Sequence, residues 1–137
     1  MSLDAQRAYQ SRHPFPERAA RVFASDCDTR RENDLFLRQT AWDAEKRVVG
    51  GNSLVEQARQ ALQNVRHAVE AAGGSLADVV ALRLYVVNYR PVDANSLGGI
   101  LREFFPGVHP PTSTWIGVSS LAVADFLIEI EAVAVVE

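Results

Sequence analysis

The sequence predicts an α+β domain with elements in the order β-β-α-β-α-β-β and two helices on one face of a mixed sheet. Three observations carry this. Leu127–Val136 holds ten residues, eight of them apolar, with no Gly or Pro, which reads as a buried strand. Val79–Val87 is nearly all apolar on both alternating faces and so belongs inside a sheet. Between Ser53 and Gly73, apolar residues recur at helical spacing instead.

Residues 1–34 are polar, charged and punctuated by Pro14 and Pro16. Asp4–Arg12 suits a helical turn or two, Ala19–Ala24 a first short strand, and the charged run Thr29–Asp34 a solvated loop. Leu35–Gln39 is the second strand. Trp42–Gly51 connects it onward through Asp43, Gly50 and Gly51. Ser53-Leu54-Val55-Glu56 fits a capping box that opens the first helix. Leu54, Ala58, Ala61, Leu62, Val65, Val69 and Ala72 form its apolar stripe. Gly73-Gly74 ends it, one of them left-handed. After the strand Val79–Val87, Asn88–Asp93 turns the chain into a second helix with Leu97, Ile100, Leu101, Phe104 and Phe105 on one face. Gly98 and Gly99 weaken its start by about 1 kcal/mol each relative to Ala. Pro106-Gly107 stops it, and two strands within Pro110–Glu137 complete the chain.

At 137 residues the chain reads as one domain, 1–137, large enough for a core of its own. A net charge of −3 gives no reason to expect nucleic acid or an anionic membrane as partner. The single cysteine, Cys27, excludes an internal disulfide and a multi-cysteine metal site. Its acidic neighbours Asp26 and Asp28 disfavour a thiolate. His13, His67 and His109 do not cluster at ligand spacing, so no metal site is expected. No basic-then-apolar leader opens the chain and no apolar run approaches ~18 residues. The expected location is cytoplasmic.

Two helices can cover one face of a sheet but not both. Strands apolar on both faces need a second cover, and further copies of the chain supply it most economically. In the last strand, Ile128, Ile130, Ala132 and Ala134 share one face, while Glu129 and Glu131 sit together on the other. Acids on a buried strand are costly unless hydrogen-bonded or neutralised. Both are therefore candidates for chemistry.

Pro111-Thr112-Ser113-Thr114-Trp115-Ile116-Gly117-Val118 and Leu127-Ile128-Glu129-Ile130-Glu131-Ala132-Val133-Ala134-Val135 resemble the C-terminal signature of the Rid (reactive intermediate deaminase, YjgF-like) family. Gln39-Thr40-Ala41-Trp42-Asp43, Val48-Val49-Gly50-Gly51, Gln57–Leu62 and Ala71–Val80 extend the likeness, which spans roughly residues 35–137; residues 1–34 diverge. The resemblance implies a chorismate-mutase-like fold, a homotrimer and ligand clefts between subunits. The implied activity is cofactor-free, metal-free hydrolysis of small imines and enamines to keto acids and ammonia.

The resemblance also assigns positions. The family's carboxylate-clamping arginine falls on Ser113, and the residue whose backbone meets the ligand falls on Trp115, with Thr114 between them. The family's strand glutamate falls on Glu129. Its serine and glycine on the second strand fall on Leu37 and Arg38, and its helical asparagine falls on Gly98. The glutamate alone is retained. A serine hydroxyl brings no charge to a carboxylate, so the clamp is weakened. Arg38 is a candidate replacement cation, or else an exposed arginine at a strand end. Glu129 is a candidate for positioning water or moving a proton, with Glu131 raising its pKa by repulsion. Alternatively it is an interface glutamate satisfied by amides or by Arg83. Trp115 is either a flat wall selecting larger substrates or interface packing, and Tyr85 reads as core. The first functional reading is an imine/enamine hydrolase with Glu129 catalytic and Ser113, Trp115, Arg38 and Thr114 binding substrate. The other is a non-catalytic trimeric module that binds a small metabolite or a partner protein.

Overall fold

The computed structural model describes Cys27–Asp28 and residues 33–137. It contains strands β1 (Cys27–Asp28), β2 (Asp34–Gln39), β3 (Val79–Val87), β4 (Thr112–Val118) and β5 (Ile128–Val135), with helices α1 (Leu54–Ala71) and α2 (Asp93–Phe104). The element order is the expected one. The described first strand is Cys27–Asp28; the expected strand at Ala19–Ala24 and helical turns at Asp4–Arg12 lie outside the described residues.

The sheet order is β1-β2-β5-β3-β4. β5 is central and antiparallel to β2 and β3, while β4 runs parallel to β3, so the sheet is mixed. The β3-to-β4 connection contains α2, the crossover that parallel neighbours require. Register puts Leu37, Ala132, Leu82 and Ser113 in one row across four strands, and the next row holds Arg38, Glu131, Arg83 and Thr114. Because side chains alternate, neighbouring rows face opposite ways.

Leu35, Leu37, Leu82, Leu84, Ile128 and Ile130 fill one core with the apolar stripes of both helices. Both helices therefore lie on one face. On the other, Phe36 and Val135 each stay 39% exposed. Gly50 and Gly73 take positive φ, 95° and 88°, and Gly73 is the expected left-handed residue past α1.

Two local expectations are corrected. Ser53 Oγ accepts from the Glu56 amide at 3.3 Å, but the Ser53 amide donates to Gly50 O at 2.9 Å, so the box is only half made. A complete capping box forms instead at Ser75–Asp78, ahead of β3. The α1 stripe also includes two buried amides, Gln57 and Asn64. Asn64 Nδ2 donates to Thr40 O and Trp42 O at 2.9 and 2.8 Å. Gln57, fully buried, donates from Nε2 to Gly51 O and Asp125 O and accepts the Leu127 amide at Oε1. The single side chain thus ties the start of α1 to the entry of β5. Buried polar groups that are fully bonded in this way fix geometry rather than merely fill space.

Candidate functional site

Strand alternation divides the sequence-predicted site residues between the two faces of the sheet. Ser113 and Trp115 pair in register with the core residues Leu82 and Leu84, so they point toward the helices. Glu129, Thr114 and Arg38 point to the open face, in rows with Tyr85, Arg83 and Glu131.

On the open face, Arg83 Nη1 meets Glu131 Oε2 at 2.9 Å. Arg83 thus serves Glu131, its direct cross-strand partner, as opposite charges at paired positions should. The Tyr85 hydroxyl and the Glu131 carboxylate together hold the Arg83 guanidinium above its ordinary pKa. With Arg83 beside it, the charge on Glu131 is offset, which weakens the repulsion expected to act on Glu129. Tyr85 is corrected as well: it is a partly buried open-face residue directly across from Glu129, not a core tyrosine. The result is a polar strip of Glu129, Tyr85, Arg83 and Glu131 between the apolar residues Val133 and Ile116. Arg38 lies one strand away, opposite Glu131 in register, and is exposed.

On the helix side, Trp115 packs against the core and its Nε1 donates to Ser113 Oγ at 3.2 Å. Tyr89 meets the indole edge-on, with centroids 6.3 Å apart. A Cβ on Gly98 would lie 3.9 Å from Trp115 Cη2. Glycine at 98 and tryptophan at 115 are therefore spatial neighbours, a pairing that sequence distance concealed. Leu37 is buried in the core.

Among the described residues no group of three or more His, Cys, Asp or Glu side chains could hold a metal ion. No described helix is long and apolar enough to cross a membrane. Sequence reasoning places Tyr85 in the core and Arg83 beside Glu129, where the structure has Tyr85 across from Glu129 and Arg83 on Glu131, and it misses Gln57. The first two could have been found from register, since each faces one of the paired glutamates. Gln57 gives no signal in a one-dimensional pattern.

The family model described as Endoribonuclease L-PSP matches residues 38–136. A 2-iminobutanoate/2-iminopropanoate deaminase from Dermatophagoides farinae is 33% identical over 82 residues, 60% of this chain and 61% of that protein. The chain thus matches less than two thirds of that relative's length. The RutC family protein PH0854 from Pyrococcus horikoshii is 34% identical over 74% of this chain and 79% of its own. Among solved structures, the Rid-family protein YyfB from Yersinia pestis, described as of unknown function, superposes with a TM-score of 0.72 at 37% identity, covering 80% of this chain and 83% of its own. The YjgF gene product of E. coli superposes with a TM-score of 0.67 at 29% identity over 80% and 85%.

Proposed function

Since the chain belongs to the endoribonuclease L-PSP (Rid) family, we propose that it is a cofactor-free hydrolase of small imines or enamines, releasing a keto product and ammonia. The observation that carries this reading is Glu129, the retained glutamate, set on the open face of the central strand across from Tyr85. A carboxylate there can accept a proton from water as it attacks an imine carbon, and return it to the departing amine. The deaminase relative supports the same reaction class.

The site is completed between copies. Glu129, Thr114 and Arg38 point away from Ser113 and Trp115 across the thickness of the sheet. A cleft that takes substrate contacts from all five draws on more than one subunit, as in a homotrimer built on the open faces. The apolar residues exposed there, Phe36 and Val135, supply the surface for that association.

The test is ammonia release from imines generated in situ by an amino-acid oxidase. Wild type should accelerate release, and Glu129→Gln should lose about 100-fold or more of that acceleration. Equal rates for wild type, variant and buffer would remove the hydrolase reading for those substrates. A second reading, a trimeric module that binds a metabolite without turning it over, is favoured by Ser113. Its hydroxyl carries no charge and is already engaged by Trp115. Saturable ligand binding with no turnover would select it.

A further inference from the structure

The basic residues divide by their engagements. Arg47, Arg59, Arg83 and Arg90 each pair with a carboxylate. Lys46 lies over the Trp42 ring and Arg66 over Phe104. Arg38 and Arg102 alone among the described residues have no such partner. Arg38 points to the open face, away from Ser113. Arg102, in the last turn of α2, is placed differently. It stands four residues after Gly98, so the two share one side of the helix. A long helical side chain leans back toward the N-terminus, and Gly98 has no side chain to stop it. Arg102 Nη1 lies 3.5 Å from the point a Cβ on Gly98 would occupy, and Trp115 Cη2 lies 3.9 Å from that same point.

Three features around this point favour an anion. Arg102 offers a guanidinium whose donors meet no acceptor among the described residues. The indole turns a ring edge toward Gly98, and aromatic edges are electropositive. At the other side of the indole, Ser113 Oγ accepts from Trp115 Nε1, which polarises the hydroxyl and leaves its O–H to donate outward. The adjacent acids do not cancel the charge: Glu103 is bonded to Arg59 and Asp93 to Arg90.

We propose that Arg102, reaching over Gly98 to the Trp115 edge, binds the carboxylate of a small organic acid, so that the cation missing from β4 at Ser113 is supplied from α2. This rests on the reading of the site as one for small imino or keto acids.

The test is calorimetric titration of the full-length protein with 2-oxobutanoate and with 2-oxobutanamide, which has the same shape but no charge. Wild type should bind the acid at least about tenfold more tightly than the amide, as expected for a charge-assisted contact. Arg102→Gln should abolish that preference while amide binding stays unchanged. Gly98→Leu, which fills that space, should weaken binding of acid and amide together. Arg47→Gln, which removes an exposed arginine paired with Asp43, should keep the preference. The proposal is overturned if wild type shows no preference for the acid, or if Arg102→Gln binds it within twofold of wild type. Imine hydrolysis is scored separately with Glu129→Gln. Turnover with an unaltered Arg102→Gln affinity sinks this inference alone. Acid binding through Arg102 without any turnover sinks only the hydrolase reading.

Discussion

Gln57 and Glu129 illustrate two fates of a polar side chain in a largely apolar element. Gln57 is buried completely and uses both ends of its amide, holding Gly51, Asp125 and Leu127. Replacing it by Leu fills similar volume but strands an amide and two carbonyls. A buried unsatisfied group costs about 1–3 kcal/mol, so Gln57→Leu should lower unfolding stability in urea by about 3 kcal/mol. A loss below about 1 kcal/mol would mean that those groups find other partners. Glu129 differs because it faces outward from a strand whose other side is core. Its neighbour Glu131 has Arg83, so the two acids that look alike in the sequence have different surroundings.

At the scale of elements, the two helices are joined to the sheet with different security. α1 starts at a glycine pair that admits little else. Gly50 has φ +95°, and a Cβ on it would sit 2.8 Å from the Gln57 amide nitrogen. α2 contains Gly99, where a Cβ would meet nothing within 4 Å. The expected effects are opposite in sign. Gly50→Ala should destabilise by about 2 kcal/mol through strain at positive φ and the clash with α1. Gly99→Ala should stabilise by about 0.5–1 kcal/mol, because it adds helix propensity without a steric penalty. Thermal unfolding of the two variants side by side checks the pair; a shift of the same sign in both would contradict this account of α1 and α2. The closeness of Gly98 to Trp115 adds a functional consequence. A small residue in α2 there leaves room for an indole on β4 and for Arg102.

For the whole molecule, the governing fact is that both helices cover one face of the sheet and no described element covers the other. Phe36 is 39% exposed and lies in register with Val133 at the middle of the open face. If that face is the surface on which copies meet, a charge placed there must be desolvated on assembly. Phe36→Glu should then convert a trimer of 15.1 kDa chains into monomers, read by light scattering, without loss of the helical circular dichroism. A wild type that runs as a monomer at micromolar concentration would remove the open face as an interface.

By itself the sequence determined the element order, the bounds of α1 and β3 to within about a residue, the left-handed glycine after α1 and the one-sided placement of both helices. Those features follow from periodicity and turn chemistry, which are local and written along the chain. It also determined family membership, through the order and spacing of short segments. Only the tertiary structure decided which glutamate Arg83 serves, that Ser113 and Trp115 turn away from Glu129, and that Arg102 stands beside Gly98. Each of these depends on the register between strands or on the docking of α2 against β4. Register is set by the fit of whole faces, not by any single residue. A shift of one residue in β4 would carry Ser113 and Trp115 to the face of Glu129, with the same amino acids giving a different site.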